Sequence, residues 1–196
     1  VENGIPTQPE QVLVTNGGKQ AIYNLFQVLL NPGDEVLVPA PYWLSYPEMA
    51  ALAGASTRII PTKAEEGFRL DLDLLEQQIT PRSRLLVINS PGNPSGQVMT
   101  RAEMEALAAL VARHPQLMVM SDEIYEYLLA DGQQHCSFAA IAEEIRSRCF
   151  TVNGFAKGWA MTGWRLGYLA GDAAVIKAAS ALQSQSTSNV CSFAQR

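Results

Sequence analysis

The sequence predicts an α/β fold: a three-layer sandwich with a mostly parallel, mixed central sheet flanked by helices. Three observations predict it. Short β-prone apolar runs alternate with stretches of helical periodicity along the whole chain. One run, Arg84-Leu-Leu-Val-Ile88, is continuously apolar after its first residue, the pattern of a strand buried on both faces of a parallel sheet. Hydrophobic residues make up 47% of the 196 residues and charged residues 17%, which is enough to close a core and excludes a disordered chain.

Each element follows from local signals. Residues 12–14 are β-prone, and Thr15-Asn16-Gly17-Gly18 turns the chain. Ile22, Leu25, Phe26 and Leu29 then recur at the spacing of an amphipathic helix, ended by Asn31-Pro32-Gly33-Asp34. Residues 35–38 form the next strand, closed by Pro39 and Pro41. Residues 45–53 read as a helix with Gly54 just past its end, where a left-handed cap costs glycine little. A strand over 57–60 precedes a helix over 71–79, with Asp71 as its cap and Pro81 beyond its stop. After the strand at 84–88, Thr100-Arg101-Ala102-Glu103 is a capping box opening a helix that runs to about His114. Residues 117–120, 150–152 and 166–169 are strands. Asp172 starts the last helix, with Val175, Ile176, Ala179 and Leu182 on one face. No repeat or linker divides the chain, so residues 1–196 read as a single domain. Val1-Glu2-Asn3-Gly4 begins without a cap or strand, and the run to Arg196 has no terminator, so the chain reads as cut at both ends.

Composition excludes several functions. The formal net charge of −5 is spread without basic clusters, which argues against a nucleic-acid or anionic-membrane footprint. No window holds the about 18 uninterrupted apolar residues of a membrane span; Asn31, Asp34 and Arg84 break the best candidates. No secretory signal opens the chain. Cys136, Cys149 and Cys191 form no paired spacing, which fits a reducing cytoplasm better than a disulfide framework. His114 and His135 stand isolated and give no metal cluster, and no Gly-x-Ser-x-Gly hydrolase motif is present.

In such sheets ligands collect at the carboxyl ends of the strands. Five predicted strand ends carry groups suited to one ligand. Gly17 and Gly18 open a helix, whose free N–H groups and positive dipole end make a phosphate seat; with Lys19 they read equally as a turn and a solvated lysine. Their spacing is not that of a P-loop. Trp43 follows the second strand and is either packing or a stacking platform. Asn93 sits in the punctuated loop Ser90-Pro-Gly-Asn-Pro-Ser-Gly96, which is either turn chemistry alone or a rigid hold on its amide toward a ligand oxygen. Asp122 follows a buried-type strand, where a carboxylate must be paired; it is a structural ion-pair member or the partner of a protonated ring nitrogen. Strand alternation sends Asp122 and Glu123 to opposite sides. Lys157 lies among apolar and small residues and is either a surface lysine on a loop or a desolvated amine fit for Schiff-base chemistry. Arg165, flanked by Gly163 and Gly167, suits a bidentate grip on phosphate oxygens.

Together these segments resemble the fold-type I, class I aminotransferases dependent on pyridoxal 5′-phosphate, and closely the aspartate aminotransferase branch. The matching segments are Val14-Thr-Asn-Gly-Gly-Lys-Gln-Ala21, Pro41-Tyr-Trp-Leu-Ser-Tyr-Pro-Glu-Met49, Asn89-Ser-Pro-Gly-Asn-Pro-Ser-Gly96, Ser121-Asp-Glu-Ile-Tyr125, and Lys157 with Met161-Thr-Gly-Trp-Arg-Leu-Gly167. They occur in the family's order. The resemblance implies Lys157 as the catalytic Schiff-base lysine, Asp122 on the pyridine nitrogen, and Tyr125 and Asn93 on the ring oxygen. It implies Trp43 stacked on the ring, Gly17, Gly18, Lys19 and Arg165 around the phosphate, and Trp43 and Asn93 facing substrate. Lys19 has a second role open to it, attracting the side-chain carboxylate of an acidic substrate.

The implied reaction moves an amino group between an amino acid, aspartate favoured, and a 2-oxo acid such as 2-oxoglutarate, in a homodimer. Alternatives are an aromatic, alanine or prephenate aminotransferase, a lyase, or a non-catalytic α/β fragment. Two departures stand out. Gly154 occupies the place, three residues before the lysine, where many relatives carry a phosphate-binding serine. The match covers only the central cofactor-binding part of the family's large domain, so this chain is expected to turn over weakly or not at all.

Overall fold

The computed structural model describes residues 3–195. The sequence reading of an uncapped start at Val1 and Glu2, and of an unterminated end at Arg196, therefore lies outside the described residues. Strands β1 (Val12–Thr15), β2 (Glu35–Pro39), β3 (Ser56–Ile60), β4 (Ser83–Asn89), β5 (Met118–Asp122), β6 (Cys149–Gly154) and β7 (Gly167–Ala170) form one seven-stranded sheet in the order β1-β7-β6-β5-β4-β2-β3. All ladders among β2 to β6 are parallel, while β7 runs antiparallel to both β1 and β6. Six strands thus end at one edge and only β7 is reversed, which is the mixed, mostly parallel sheet the sequence predicts.

Two helical layers cover the sheet. Helices α1 (Gly18–Leu29), α2 (Ser45–Leu52) and α6 (Ala173–Ser184) pack on one face; α3 (Leu72–Gln78), α4 (Arg101–Ala112) and the short α5 (Phe138–Ile141) pack on the other. Strand alternation builds both cores at once. Leu85 and Val87 of β4 meet Leu25 and Phe26 of α1 in one core, while Leu86 and Ile88 meet Met104 and Leu107 of α4 in the other. This two-sided burial is why β4 is apolar from Leu85 to Ile88.

The caps behave as their chemistry requires. Asp71 accepts from the Leu74 N–H at 3.0 Å, and Thr100 with Glu103 closes the reciprocal capping box of α4. Asp172 accepts from the Ala174 N–H at 2.9 Å at the start of α6. Gly54 stands past α2 with φ 79°, the left-handed conformation that favours glycine.

Two expectations need correction. The inner face of α6 is Ile176, Ala179 and Gln183, with Leu182 only half-buried. A polar residue takes the core position because its side chain is fully engaged: Gln183 accepts from Asn24 Nδ2 and donates to the Val14 carbonyl, both at 2.9 Å. The segment before β6 holds α5 and a 3₁₀ stretch, Glu143–Arg148, that periodicity does not predict. Elements this short complete no amphipathic repeat, and α5 is fixed instead by Glu123, whose carboxylate accepts from Ser137 and from the Phe138 N–H.

At the opposite edge of the sheet, Glu35 is buried and bonded by Thr80 Oγ1 at 2.6 Å and by Arg58 and Arg82, each at 3.1 Å. The Thr80 hydrogen bond, with the two guanidinium groups, holds this carboxyl down at about 2. A depressed folded-state value contributes stability above the unfolded value and loses it as pH falls. Glu35→Gln is therefore expected to cost about 2 kcal/mol near neutrality, since one pKa unit is about 1.4 kcal/mol and the exposed Arg82 is screened. Unfolding curves of both proteins should converge as pH drops from 4.5 toward about 2. A gap that persists unchanged in acid would refute the assignment.

Candidate active site

The carboxyl ends of β1, β2, β4, β5 and β6 meet at the edge of the sheet over which α1 begins. A cavity of about 210 Å³ opens there, and eight of the nine sequence-predicted residues line it: Gly18, Lys19, Trp43, Asn93, Asp122, Tyr125, Lys157 and Arg165. Gly17, the ninth, has φ 81° and caps α1 immediately beneath the Arg165 guanidinium. A Cβ at Gly17 would run into that guanidinium, so only glycine lets the arginine lie over the helix N-terminus. Arg165 is fixed there by donating to the Thr162 and Asn16 carbonyls at 3.0 and 3.3 Å. The cation and the N–H groups of the first turn of α1 thus share one corner, which is the electrostatics of an anion seat.

Gly167 brings that corner against the end of β6. An added Cβ would lie 2.6 Å from the Gly18 nitrogen, whereas Gly163 faces open space, so of the two glycines flanking Arg165 only Gly167 serves close approach. Gly154 is similarly constrained: a Cβ would sit 2.7 Å from the Leu166 carbonyl oxygen. A serine side chain does not fit this backbone, and donors in the anion seat come from α1 and Arg165 instead.

Asp122 forms the floor of the cavity. Burial pushes its carboxyl up to about 6, against the stabilising hydrogen bonds from the Tyr46 phenol and the Ile124 N–H. The Tyr46 hydroxyl donates to Oδ2 at 2.7 Å and the Ile124 N–H to Oδ1 at 3.3 Å. Glu123 points the other way, as alternation predicts, and accepts from Ser121 at 2.8 Å. It also pairs with His135 at 3.3 Å, and Glu126 lies 3.7 Å from the same ring nitrogen. His135 is therefore not isolated, as the sequence suggested. Ligand atoms of Glu123, Glu126 and His135 come within 4.8 Å of one another, but Glu123 is spent on Ser121, Ser137 and the Phe138 N–H.

The remaining groups are held by the loops. Asn89 Nδ2 donates to the Asp122 carbonyl at 2.9 Å, and its Oδ1 accepts from the Asn93 N–H at 2.7 Å, which staples the Asn93 loop to β5. Asn93 hydrogen-bonds the Tyr125 phenol; burial, then Asp122, still raise that phenol above its ordinary range. Trp43 meets Tyr46 edge-on at 5.5 Å, and the Lys19 ammonium lies 4.9 Å from the Trp43 ring centroid. Lys157 Nζ stands 5.9 Å from the Tyr125 ring centroid. Its side chain is exposed rather than desolvated, because the loop carries it past the end of β6 to the cavity mouth.

Sequence reasoning missed Tyr46 and gave Asn89, though it stands at a strand end, no role of its own. Tyr46 lies in the first turn of α2, three residues after Trp43 in the turn that leads into the helix, but a tyrosine in an apolar helix reads first as core. A second cavity of about 310 Å³ adjoins the first across Asn89 and Asn93. Its walls are largely apolar and it holds no lysine or arginine, so the smaller one is the candidate site.

Known proteins share this sequence and fold. The family model for aminotransferases of class I and II matches residues 1–196. A bifunctional aspartate aminotransferase and glutamate/aspartate-prephenate aminotransferase of Petunia hybrida is 51% identical over 195 residues, 100% of this chain and 40% of its own length. A probable aspartate/prephenate aminotransferase of Rickettsia bellii is 48% identical over 99% of this chain and 49% of its own. The aspartate aminotransferase of Thermus thermophilus, solved with maleate, superposes with a TM-score of 0.94 at 49% identity, covering 99% of this chain and 50% of that one. The chain thus spans about half the length of such relatives, and among the described residues no helix is long and apolar enough to cross a membrane. With its sheet and its whole length matched, the chain belongs to the class I and II aminotransferases, enzymes dependent on pyridoxal 5′-phosphate.

Proposed function

We propose that this chain is the cofactor-binding large domain of an aminotransferase that moves an amino group between aspartate and a 2-oxo acid such as 2-oxoglutarate. The observation that carries this is the convergence of a lysine, a buried carboxylate, an aromatic face and an anion seat on one cavity. The residues fit pyridoxal 5′-phosphate. Glycine at position 17 leaves the space Arg165 needs beside an anion, and Asp122 offers a buried acceptor for a protonated ring nitrogen. When bound, the cofactor supplies an electron sink for cleavage at the substrate's α-carbon.

The chain's own groups would do the rest. Arg165 and the first turn of α1, with Gly17 and Gly18, hold the phosphate. Trp43 covers the ring face and, with Asn93, borders the substrate. Tyr125 and Asn93 donate to the ring oxygen. Lys157 binds the cofactor covalently and afterwards carries the proton to and from the substrate α-carbon. Lys19, beside Trp43, presents an ammonium to the phosphate or to an acidic substrate side chain.

The relatives' names pair aspartate with prephenate, which favours prephenate as a second amino acceptor here. A second copy of the chain is the proposed partner: Phe155, Trp159 and Trp164, beside Lys157 and Arg165, are 36%, 49% and 52% exposed and would gain cover. A reducing, cytoplasmic setting suits three unpaired cysteines.

The test is to add pyridoxal 5′-phosphate to the purified chain, reduce with borohydride and map the mass adduct. A single adduct on Lys157 is expected. No adduct, or label scattered over surface lysines, would overturn the reading.

A further inference from the structure

We infer that Tyr46 is a positioning residue for the reaction: its phenol holds the Asp122 carboxylate ionised and in one orientation, so that the other acceptor sites stay directed into the cavity. This rests on the aminotransferase reading for what Asp122 faces, but the bond itself is a property of this chain.

The geometry carries it. Tyr46 occupies the first turn of α2, is 2% exposed, and places its hydroxyl 2.7 Å from Asp122 Oδ2, a well-formed O–H···O hydrogen bond. The opposite oxygen has only the longer bond from the Ile124 N–H at 3.3 Å. A carboxylate with one strong donor on one oxygen cannot rotate freely about its last torsion, and each oxygen keeps a lone pair for a further partner.

The donor is also fixed in its protonation state. Burial first, and the Asp122 charge second, push the Tyr46 phenol well above its ordinary range, so it remains a donor wherever the carboxylate is charged. Opposing it are desolvation and the neighbouring Glu123, both of which favour the neutral acid. The other groups facing Asp122 are Tyr125 at the end of its own strand and Lys157, Lys19 and Arg165 across the cavity. Of these groups, Tyr46 is the one hydrogen-bonded to the carboxylate from the helical layer.

The device is coupled to the rest of the site. The turn that carries the phenol also presents Trp43, whose ring meets Tyr46 edge-on and lies beneath the Lys19 ammonium. The turn leading into α2 and the helix's first residues therefore set both the aromatic face and the donor to the carboxylate on the floor of the cavity.

The test reads Asp122 itself, in the cofactor-free chain labelled with ¹³C at the aspartate carboxyl groups, with Asp122→Asn to assign the resonance. Tyr46→Phe keeps the ring and removes only the donor; the Asp122 titration midpoint is expected to rise by about one unit, a tenfold tighter hold on the proton. Tyr46→3,5-difluorotyrosine keeps the packing and makes a stronger donor, and should move the midpoint down. Opposite shifts in the two variants establish the role. A midpoint that stays put in the folded variants, or moves the other way, overturns it, and the fluorinated variant decides the matter if Tyr46→Phe fails to fold. Borohydride labelling of the unmodified chain is read separately, so a chain that does not load Lys157 refutes the aminotransferase reading without touching the titration result.

Discussion

Lys157→Ala is expected to leave no borohydride-fixed cofactor on the chain and to lower amino transfer by the full-length protein by on the order of 10⁴-fold. The loss is large because one side chain serves two purposes that no neighbour can assume. Lys157 stands at the mouth of the cavity, and the other cations there, Lys19 and Arg165, are placed on Trp43 and over the α1 N-terminus. A guanidinium retains charge but is neither a nucleophile nor a base near neutrality, so Lys157→Arg should fail as badly. Non-covalent retention of the cofactor should survive in both variants, because the anion seat and Asp122 are untouched. Equilibrium dialysis with pyridoxal 5′-phosphate alongside adduct mapping separates the two effects. Residual adduct in Lys157→Ala, or turnover within tenfold of the parent, would sink the assignment.

What the sequence could reveal depended on how local the cause was. Caps at Asp71, Thr100 and Asp172 are read within four residues and were legible, as was the two-sided burial of β4. The reversal of β7 was not, because strand direction is set by which neighbours pair across the sheet. The same distinction runs through the site. Gly17, Asn93, Asp122 and Lys157 each follow a strand, so chain order alone placed them near one edge; Arg165 precedes β7 and reaches that edge only because β7 is reversed. Tyr46 on Asp122, His135 on Glu123 and Gln183 on Asn24 are contacts across 76, 12 and 159 residues, with nothing local to announce them. The exposure of Lys157 was left open by the sequence for a related reason. Apolar neighbours in sequence predict burial only when the backbone turns them inward, and here the loop leaves β6 and carries Phe155, Lys157 and Trp159 out to the surface.

Asp122→Asn is expected to stabilise the cofactor-free chain while disabling the enzyme. The folded chain raises this carboxyl from 3.8 to about 6 because burial disfavours its charge. A raised folded-state value means that the folded form binds the proton more tightly, so the associated stability is present below 3.8 and is lost as pH climbs through about 6. Above that range the chain carries a buried, only partly compensated charge. An isosteric amide removes the charge and still offers an oxygen to the Tyr46 phenol. Unfolding at about pH 8 should therefore show a gain of about 2 kcal/mol, roughly 4–8 °C in Tm, that vanishes toward about pH 4. Glu35 behaves with the opposite sign, since its partners depress rather than raise it. The functional cost should be about 10²–10³-fold in amino transfer by the full-length protein, because an amide does not stabilise positive charge on a ring nitrogen. A variant equally stable at both pH values would show that Asp122 is not strained by its burial. One that gained stability and kept full activity would show that its charge does not serve the reaction.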